Sequence, residues 1–290
     1  MHDWLFFTRR AAQERCDVVT RPRLIITADD YGLHEAVNEA VETACLHGVL
    51  GAASLMVAAP AAADAIARAR RLPGLAVGLH LVLADGAAVL PPERIPDLVD
   101  AHGVFNSAMV RNGARFFLLP RLRRQLAAEI RAQFEAFAAT GLLLDHVNGH
   151  KHFHLHPTVL SLVLSIGREF GLRAVRLPSE PGSGPWLRPW LALMRRRLDK
   201  AGIAHNDHVF GIRESGGLDE TVLLGILRDL PDGLSEVYLH PAVRDGVASS
   251  AAGYRHTDEL AALLSTRVRD AIAGCCLLCR GYSDPAAVCS

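Results

Sequence analysis

The sequence predicts a single-domain α/β fold, and two patterns support this prediction. Short apolar runs rich in β-branched residues alternate with longer segments whose apolar residues recur at helical spacing, as in parallel sheets with helical crossovers. The chain has 290 residues, a length typical of one α/β barrel. We therefore expect a distorted (β/α) TIM-like barrel with about seven or eight parallel strands over residues 24–290. Residues 1–23 are expected to form an extension outside the fold.

The composition favours a globular protein that does not bind nucleic acid. Half of the residues are hydrophobic, and 31 basic residues balance 31 acidic ones, so no overall positive field would attract nucleic acid. The apolar run at residues 4–7 precedes its positive charges and is too short for a secretory signal. No window of about eighteen apolar residues could cross a membrane. We expect a cytoplasmic protein and keep open a peripheral contact at the inner face of the membrane.

The first third of the chain contains three predicted strands and two predicted helices. Leu24–Ala28 is a β-branched run, and the apolar residues of His34–His47 then recur at helical spacing. Ala52–Val57 is the second strand, Ala61–Arg70 an alanine-rich helix and Leu75–His80 the third strand. This order predicts neighbouring parallel strands joined by helices.

The rest of the chain continues the alternation after an irregular segment. Residues 84–119 contain several prolines and glycines and are long for a simple connection, so we expect a rim loop or lid. The predicted helices that follow are Gln125–Ala139, Pro157–Phe170, Pro189–Lys200, Asp219–Asp229 and Thr257–Ser265. The predicted strands are Leu142–Asn148, Ala174–Leu177, His208–Ile212, Ser235–His240 and Cys276–Leu278.

The densest chemical signal is the stretch from His146 to Pro157, in which five of the fourteen histidines lie within eleven residues. The preceding strand is expected to end near Asn148, and Gly149 is a natural point for the chain to leave the sheet. The later histidines would then lie at the carboxyl rim, where parallel α/β proteins build active sites. Alternate residues of an extended segment point the same way, so two rings could face one cavity. We expect one or two of the five histidines to bind metal.

Four predicted strand ends carry a group that can bind metal or move a proton. These groups are Asp29 with Asp30, His80, His150 and His240. In a barrel these ends converge on one mouth. Two imidazoles and one carboxylate form a hydrolase-type metal site, and a neighbouring aspartate that points elsewhere can act as general base. Each group alone also has an ordinary structural explanation, as a helix cap, a core histidine or a turn residue.

Four motifs resemble, in the same order, those of the YdjC-like carbohydrate deacetylases. They are T-A-D-D-Y-G from Thr27, V-G-L-H from Val77, H-V-N-G-H-K-H-F-H from His146 and L-H-P-A from Leu239. The resemblance covers residues 24–282. It implies a distorted (β/α) barrel that hydrolyses the N-acetyl group of a sugar with one divalent metal ion, Zn²⁺ or Mg²⁺.

The resemblance also implies roles for individual residues. By motif position, the metal ligands would be Asp30, His80 and His150. Asp29 would be the general base, and His240 would protonate the leaving amine. Arg176, at another predicted strand end, could orient Asp29 or stabilise the oxyanion, a role that rests on its position alone.

Two motifs resemble the hopanoid-biosynthesis branch of the family. These are the H-V-N-x-H-K-H-F-H-L-H-P form and the R-L-P-x-E-P form that begins at Arg176. The chitooligosaccharide branch instead carries an aspartate at the position of Asn148 and three consecutive histidines from the position of His150. The resemblance therefore implies an N-acetylglucosamine attached to a bacteriohopanetetrol side chain as substrate. The residues predicted to contact the substrate are Tyr31, His152, His154, Glu180, Trp186 and Trp190.

A lipid-linked substrate predicts an apolar approach surface. Residues 184–200 combine Trp186, Trp190 and several leucines with three consecutive arginines, a pattern typical of helices at an anionic membrane surface. Residues 111–124 have the same character. Both segments would also fit ordinary amphipathic helices packed on the barrel.

Other functions fit part of the pattern. A soluble oligosaccharide could replace the hopanoid-linked sugar, and the same metal site could serve a phosphoesterase, a non-sugar amidohydrolase or a non-haem iron oxygenase. A phosphate substrate would favour a glycine-rich nest or clustered basic residues at the rim, and the sequence has no clear case of either. Outside the enzymes, the alternative is a metal- or sugar-binding protein without turnover.

Overall fold

The computed structural model describes residues 21–105, 119–182, 184, 187–247 and 253–288. It confirms the predicted alternation of strands and helices. The strands are β1 (Arg23–Tyr31), β2 (Ala52–Leu55), β3 (Ala76–Leu81), β4 (Val147–Gly149), β5 (His208–Phe210), β6 (Leu234–Leu239) and β7 (Leu277–Cys279). The helices are α1 (Glu35–His47), α2 (Ala62–Ala69), α3 (Pro120–Ala139), α4 (Pro157–Gly167), α5 (Arg188–Ala201), α6 (Glu220–Arg228), α7 (His256–Leu264), α8 (Thr266–Cys275) and α9 (Pro285–Val288). Two 3₁₀ segments, His150–Leu155 and Arg168–Phe170, flank α4.

The strands form one parallel sheet in the order β4-β3-β2-β1-β6-β5, and β7 pairs with the first residues of β1. The sheet curls into a half-barrel of six or seven strands that is consistent with a TIM-like barrel but is not fully closed. β1 is the central strand because it pairs with β2, β6 and β7, and it is buried almost throughout. Since every pairing is parallel, the carboxyl ends of the strands meet at one edge of the sheet.

The regular ladder is interrupted between β4 and β5, where the sequence predicts a strand at Ala174–Leu177. Among the described residues, only isolated bridges continue the wall there, one of them between Ala174 and Ala204. The Asn206 side chain replaces the missing backbone pairing. It accepts a hydrogen bond from the Leu177 N–H at 2.7 Å and donates one to the Leu177 carbonyl at 2.7 Å. A side-chain amide thus satisfies backbone groups that a closed barrel would pair with a neighbouring strand.

The core lies between the sheet and the helices around it. In α1, Val37 and Val41 are buried at the helical spacing that the sequence predicts. Burying an apolar side chain of this size contributes about 1.5–3 kcal/mol. The His34 ring caps the same helix by accepting the Ala36 N–H at 2.9 Å. The buried valines and the His34 cap together explain why α1 begins directly after the loop that follows β1.

Several boundaries differ from those expected. β4 begins at Val147 instead of Leu142, since the residues before it leave the sheet and Leu143 is 91% exposed. Helix α8 was not predicted. β1 continues through the aspartate pair to Tyr31, so both aspartates are strand residues rather than loop residues. α3 begins at Pro120 instead of Gln125, because proline is well tolerated in the first turn of a helix. β5 ends at Phe210, since Gly211 has a φ of 114° that a strand does not continue.

The segment predicted as a rim loop or lid is described in part. Residues 84–105 contain two antiparallel bridges, and buried Ile95 and Phe105 anchor them in the core. Glu129 of α3 accepts two backbone N–H groups of this segment. Residues 106–118 lie outside the described residues, so a lid function stays a prediction.

The described residues bear only in part on the N-terminal extension and the membrane surface. β1 begins at Arg23, next to the expected start of the fold, and residues 1–20 lie outside the described residues. Among the helices that the structure describes, none is both long and apolar enough to span a bilayer.

Candidate metal centre and active site

The polar groups expected at the strand ends lie together. The residues that line one cavity of about 190 Å³ are Asp29, Asp30, His80, Gly149, His150, Lys151, His152, Ile212, Ser215, Tyr238, His240 and Tyr254. They follow or end β1, β3, β4, β5 and β6, so the parallel sheet is what assembles them. A larger cavity of about 710 Å³ lies at the amino ends of β3 and β4 and shares no residue with this one.

A backbone irregularity separates the two aspartates. Asp30 has a φ of 59°, in the left-handed region, and the register between β1 and β2 shifts at this point. Such a conformation costs a residue with a side chain about 1–3 kcal/mol. The irregularity turns Asp30 toward two histidines, whereas Asp29 faces Arg176.

Asp30, His80 and His150 form a possible metal-binding group, which we call the metal group. Asp30 Oδ1 lies 3.2 Å from His80 Nε2 and 3.0 Å from His150 Nδ1, and the two nitrogen atoms are 3.4 Å apart. Burial alone would raise the pKa of Asp30, but the two histidines more than offset this and hold it well below its ordinary value. One carboxylate and two imidazoles leave coordination positions for water and substrate, as catalytic zinc sites do.

Asn148 determines which nitrogen of His80 faces the metal group. Its Nδ2 atom donates to Asp29 Oδ1 at 3.0 Å and to Ser54 Oγ at 2.8 Å, so its Oδ1 atom is the one 2.7 Å from His80 Nδ1. Because that oxygen only accepts, Nδ1 carries a proton, and Nε2 is the nitrogen that faces Asp30 Oδ1 at 3.2 Å. A carboxylate oxygen and an imidazole nitrogen so placed are a donor set that fits a divalent cation.

Asp29 is a buried carboxylate held by a guanidinium. Arg176 Nη1 and Nη2 donate to its two oxygen atoms at 2.6 and 2.9 Å. Burial alone would raise the pKa of Asp29, but the charge of Arg176 more than offsets this and holds the pKa well below its ordinary value. Asp29 is therefore ionised at neutral pH and stands beside the metal group without belonging to it.

Arg176 is fully buried between two carboxylates. Besides Asp29, it binds Glu236 through Nε and Nη2, each at 2.9 Å. Its guanidinium carbon also lies 4.6 Å from the centre of the Tyr238 ring. Because most of its donors are engaged, this geometry favours the orienting role expected for Arg176 over contact with an oxyanion.

His240 lines the cavity between two tyrosines. The centres of the Tyr238 and Tyr254 rings lie 5.7 and 5.2 Å from the centre of its own ring. Its backbone N–H donates to Glu259 Oε2 at 2.6 Å, while its ring Nδ1 has no hydrogen-bond partner among the described residues. The two tyrosine rings therefore hold the His240 ring at the wall of the cavity.

The histidine-rich segment after β4 is not extended, contrary to the expectation from its His-x-His spacing. Lys151 and His152 have φ values of 52° and 55°, and the chain turns through a 3₁₀ segment. The turn sends the rings in different directions. Among the described histidines of this segment, only His150 joins the metal group, while the His156 ring caps α4.

Of the two predicted substrate-contacting histidines, His152 is half-buried and His154 is fully buried, and both are neutral at pH 7. His152 lines the cavity, and its Nε2 lies 3.1 Å from the Tyr238 hydroxyl. Burial lowers the pKa of His152 to about 3. His154 does not line the cavity; its Nε2 lies 2.9 Å from the Arg176 carbonyl, and burial lowers its pKa to about 4. His154 therefore supports the backbone of Arg176 instead of facing a substrate.

The other predicted substrate contacts lie away from the cavity or outside the described residues. Tyr31 is fully buried and its hydroxyl donates to the Ala65 carbonyl at 2.7 Å, so its predicted substrate contact is wrong. Glu180 is also buried and accepts the backbone N–H of Ile212, which lines the cavity. Trp190 is half-buried against the core. Trp186 lies outside the described residues.

Sequence reasoning missed several residues that complete the site. Asn148 was part of a motif, but its contacts with both aspartate and histidine depend on pairing between β3 and β4. Glu236 lies in the middle of β6, where a buried carboxylate has no local signal. Lys151 forms an ion pair with Asp85 at the rim, and both residues have left-handed φ values. A lysine between two histidines is unusual, and this feature of the sequence could have indicated the ion pair of Lys151.

A possible metal group and a separate ionised aspartate, set at the carboxyl rim of a parallel α/β half-barrel, define a hydrolase-type active site. The YdjC-like protein family matches residues 23–274. The chain belongs to this family, as its motifs indicated.

The chain is similar to several carbohydrate deacetylases. It is 30% identical over 257 residues to the carbohydrate deacetylase of Brevibacillus brevis, covering 86% of this chain and 94% of that protein. It is 30% identical over 254 residues to that of Vibrio cholerae, covering 85% of this chain and 89% of the other. Its fold is similar to that of a crystal structure from Enterococcus faecalis V583, described as a candidate cellobiose-phosphate cleavage protein. The TM-score is 0.74 at 24% identity, with 91% of this chain and 98% of the other covered.

Proposed function

We propose that this chain is a metal-dependent carbohydrate deacetylase, an enzyme that hydrolyses the N-acetyl amide of an amino sugar. The observation that carries the proposal is the pairing of the metal group with Asp29 in one cavity. A binding protein has no need of a second, ionised carboxylate held beside a cation site. The carbohydrate deacetylases to which the chain is similar support this reaction class.

The residues of the cavity divide the proposed reaction between them. Asp30, His80 and His150 would hold a divalent cation, which would supply the Lewis acidity that polarises a carbonyl oxygen and makes a water molecule more acidic. Asp29 takes the proton of the attacking water, and Arg176 keeps its carboxylate in one orientation. His240 gives a proton to the departing amine, so that acetate and a free amino sugar are released. Zn²⁺ suits two imidazoles best, and Mg²⁺ is the alternative.

The proposed substrate is an N-acetylglucosamine attached to a bacteriohopanetetrol side chain. The motif forms around Asn148 and Arg176 support this choice, because both residues bind Asp29 directly. An aspartate in place of Asn148 would put a second carboxylate against Asp29, so the two branches of the family need different arrangements here. A soluble N-acetylated oligosaccharide is the competing substrate, with which the relatives are equally compatible.

We also propose that α5 brings the enzyme to the inner face of the membrane. Leu193 is 48% exposed and Arg196 is exposed on this helix, beside the half-buried Trp190. Apolar side chains next to arginines favour binding to anionic lipid. Replacing Leu193 and Arg196 together with serine should reduce sedimentation with anionic vesicles, while a matched change of exposed Leu46 on α1 should not. If both variants sedimented with the vesicles to the same extent as the wild type, a membrane contact of α5 would be contradicted.

The function is tested by measuring acetate release from N-acetylglucosaminyl bacteriohopanetetrol and from diacetylchitobiose, each with and without a chelator. Chelator-sensitive release from the hopanoid substrate alone is expected. Release from diacetylchitobiose alone would keep the deacetylase and replace the substrate. No release from either substrate by protein shown to bind Zn²⁺ would contradict the deacetylase proposal.

A further inference from the structure

A chain of buried hydrogen bonds runs from the metal group through the half-barrel to its opposite end. After Asn148 it continues through Ser54 of β2 and His146 to Asp145. Ser54 and His146 are fully buried, and Asp145 is 4% exposed at the edge of the larger cavity. The proposed reaction uses none of these last three residues.

The direction of the hydrogen bond between His146 and Asp145 follows from the carboxylate. Its carboxylate accepts the N–H groups of Tyr282 and Ser283, the Ser283 hydroxyl and the ring of His146, the last at 2.8 Å. A carboxylate with four donors only accepts. His146 Nδ1 therefore carries a proton, and Nε2 faces the Ser54 hydroxyl.

Ser54 links His146 to the amide of Asn148. Its single hydroxyl proton has two acceptors within reach, His146 Nε2 at 3.0 Å and Asp29 Oδ1 at 3.2 Å, and in either case an oxygen lone pair accepts the hydrogen bond that Asn148 Nδ2 donates at 2.8 Å. The Asn148 oxygen is thereby turned to His80 and accepts its Nδ1 proton. His80 Nε2 is then the nitrogen that faces the cation position.

Two glycines leave room for this chain of hydrogen bonds. A Cβ atom at Gly78 would lie 2.5 Å from the His146 ring, and one at Gly281 would lie 2.7 Å from Asp145 Oδ2. Both distances are far below ordinary contact. The absence of a Cβ atom at Gly78 and at Gly281 therefore leaves room for the side chains of His146 and Asp145.

We propose that Ser54, His146 and Asp145 are positioning residues that hold His80 in the tautomer required for metal binding. The inference rests on the proposed metal-dependent function. Asn148 also donates to Asp29, so Ser54 provides one of two constraints on the amide. Removing Ser54 should therefore weaken metal binding without abolishing it.

The test measures Zn²⁺ affinity by titration calorimetry in Ser54→Ala, His146→Gln and the double variant. Groups that orient a metal-binding histidine typically contribute about tenfold to hundredfold in affinity, and we expect about tenfold here. Because both residues act through one path, the double variant should bind no more weakly than the weaker single variant. Ser235→Ala is the matched control, since Ser235 is a fully buried strand serine whose hydroxyl has no partner among the described residues.

A second measurement separates orientation from general stability. In Zn²⁺-loaded protein, the His80 Nδ1 proton should give a protected NMR resonance that exchanges with solvent faster in Ser54→Ala than in the wild type and is unchanged in Ser235→Ala. Unchanged Zn²⁺ affinity and an unchanged resonance in both single variants would overturn the inference, as would fully additive losses. If the variants change Zn²⁺ affinity as expected but the wild type releases no acetate, the positioning inference stands and only the proposed deacetylase function is contradicted.

Discussion

At the scale of single residues, two adjacent carboxylates acquire different chemistry from their partners. Asp30 meets two imidazoles, and Asp29 meets the guanidinium of Arg176. Both carboxylates are buried, so neither would stay ionised without a neighbour that carries or attracts positive charge. The left-handed φ of Asp30 is what separates their directions.

Asp29→Asn tests the division of roles. The amide cannot take a proton from water, so we expect kcat for acetate release to fall by about 10²–10⁴. Zn²⁺ affinity should fall by no more than about tenfold, because Asp29 is outside the metal group and provides only one of the two constraints on the Asn148 amide. Asp30→Asn, in contrast, should lose most of its Zn²⁺ affinity. A turnover number of Asp29→Asn equal to that of the wild type would remove Asp29 as the base.

Asp145 predicts a dependence of stability on pH. Burial alone would raise its pKa, but hydrogen bonds from His146 and Ser283 more than offset this and lower it to about 2, from an ordinary value of 3.8. A lowered folded-state pKa stabilises the fold above the unfolded-state value and loses that contribution as pH falls through the folded-state value. We expect the stabilisation, about 2 kcal/mol, to be present above pH 4 and to disappear between pH 4 and pH 2.

Urea unfolding of the wild type and Asp145→Asn measures this effect. The difference in the free energy of unfolding should be largest at pH 6 and should shrink steadily as pH approaches 3. A difference that is constant over this range would show that the Asp145 charge contributes nothing to the pH dependence.

At the scale of elements, one side chain substitutes for part of a strand ladder. Asn206 binds both backbone groups of Leu177 and also donates to the His208 carbonyl at 2.9 Å. It therefore links the bridge residues after β4 to β5 at the point where the ladder is open. Without it, two buried backbone groups of Leu177 would lose their partners.

Asn206→Ala should destabilise the fold strongly. A buried backbone donor and acceptor left without partners cost about 1–3 kcal/mol each, so we expect a loss of roughly 2–4 kcal/mol in the free energy of unfolding. Chemical denaturation followed by circular dichroism measures it. A loss below about 0.5 kcal/mol, the range of ordinary surface changes, would contradict the role of Asn206 in closing the wall.

At the scale of the whole molecule, the metal group joins β1, β3 and the turn after β4. A cation bound there links segments more than a hundred residues apart in sequence and binds the folded state only. Zn²⁺ at about a hundred times its dissociation constant should raise the free energy of unfolding by about 2.7 kcal/mol. Differential scanning calorimetry should show the shift in the wild type and not in Asp30→Asn, and equal shifts in both proteins would place the Zn²⁺ elsewhere.

The sequence alone determined the parallel α/β architecture and the positions of the metal group. Apolar periodicity identifies strands and helices, and Asp30, His80 and His150 each end or follow a predicted strand, as Asp29 and His240 also do. The choice of Asp30, His80 and His150 as the metal ligands came from the resemblance of their motifs to those of the family. The motifs also indicated the family that the chain belongs to. The order of strands and helices was enough to predict that these residues meet, because the carboxyl ends of parallel strands lie at one edge of the sheet.

The tertiary structure alone decided which side chains complete the site. Neither Glu236 nor Ser54 differs locally from other strand residues, yet each meets a partner of the site across the half-barrel. Tyr31 sits in a motif and still points into the core, since its direction depends on the bulge at Asp30. Hydrogen-bond partners depend on register and on the curl of the sheet, which are long-range properties, whereas the apolar pattern of a segment records only which of its faces is buried.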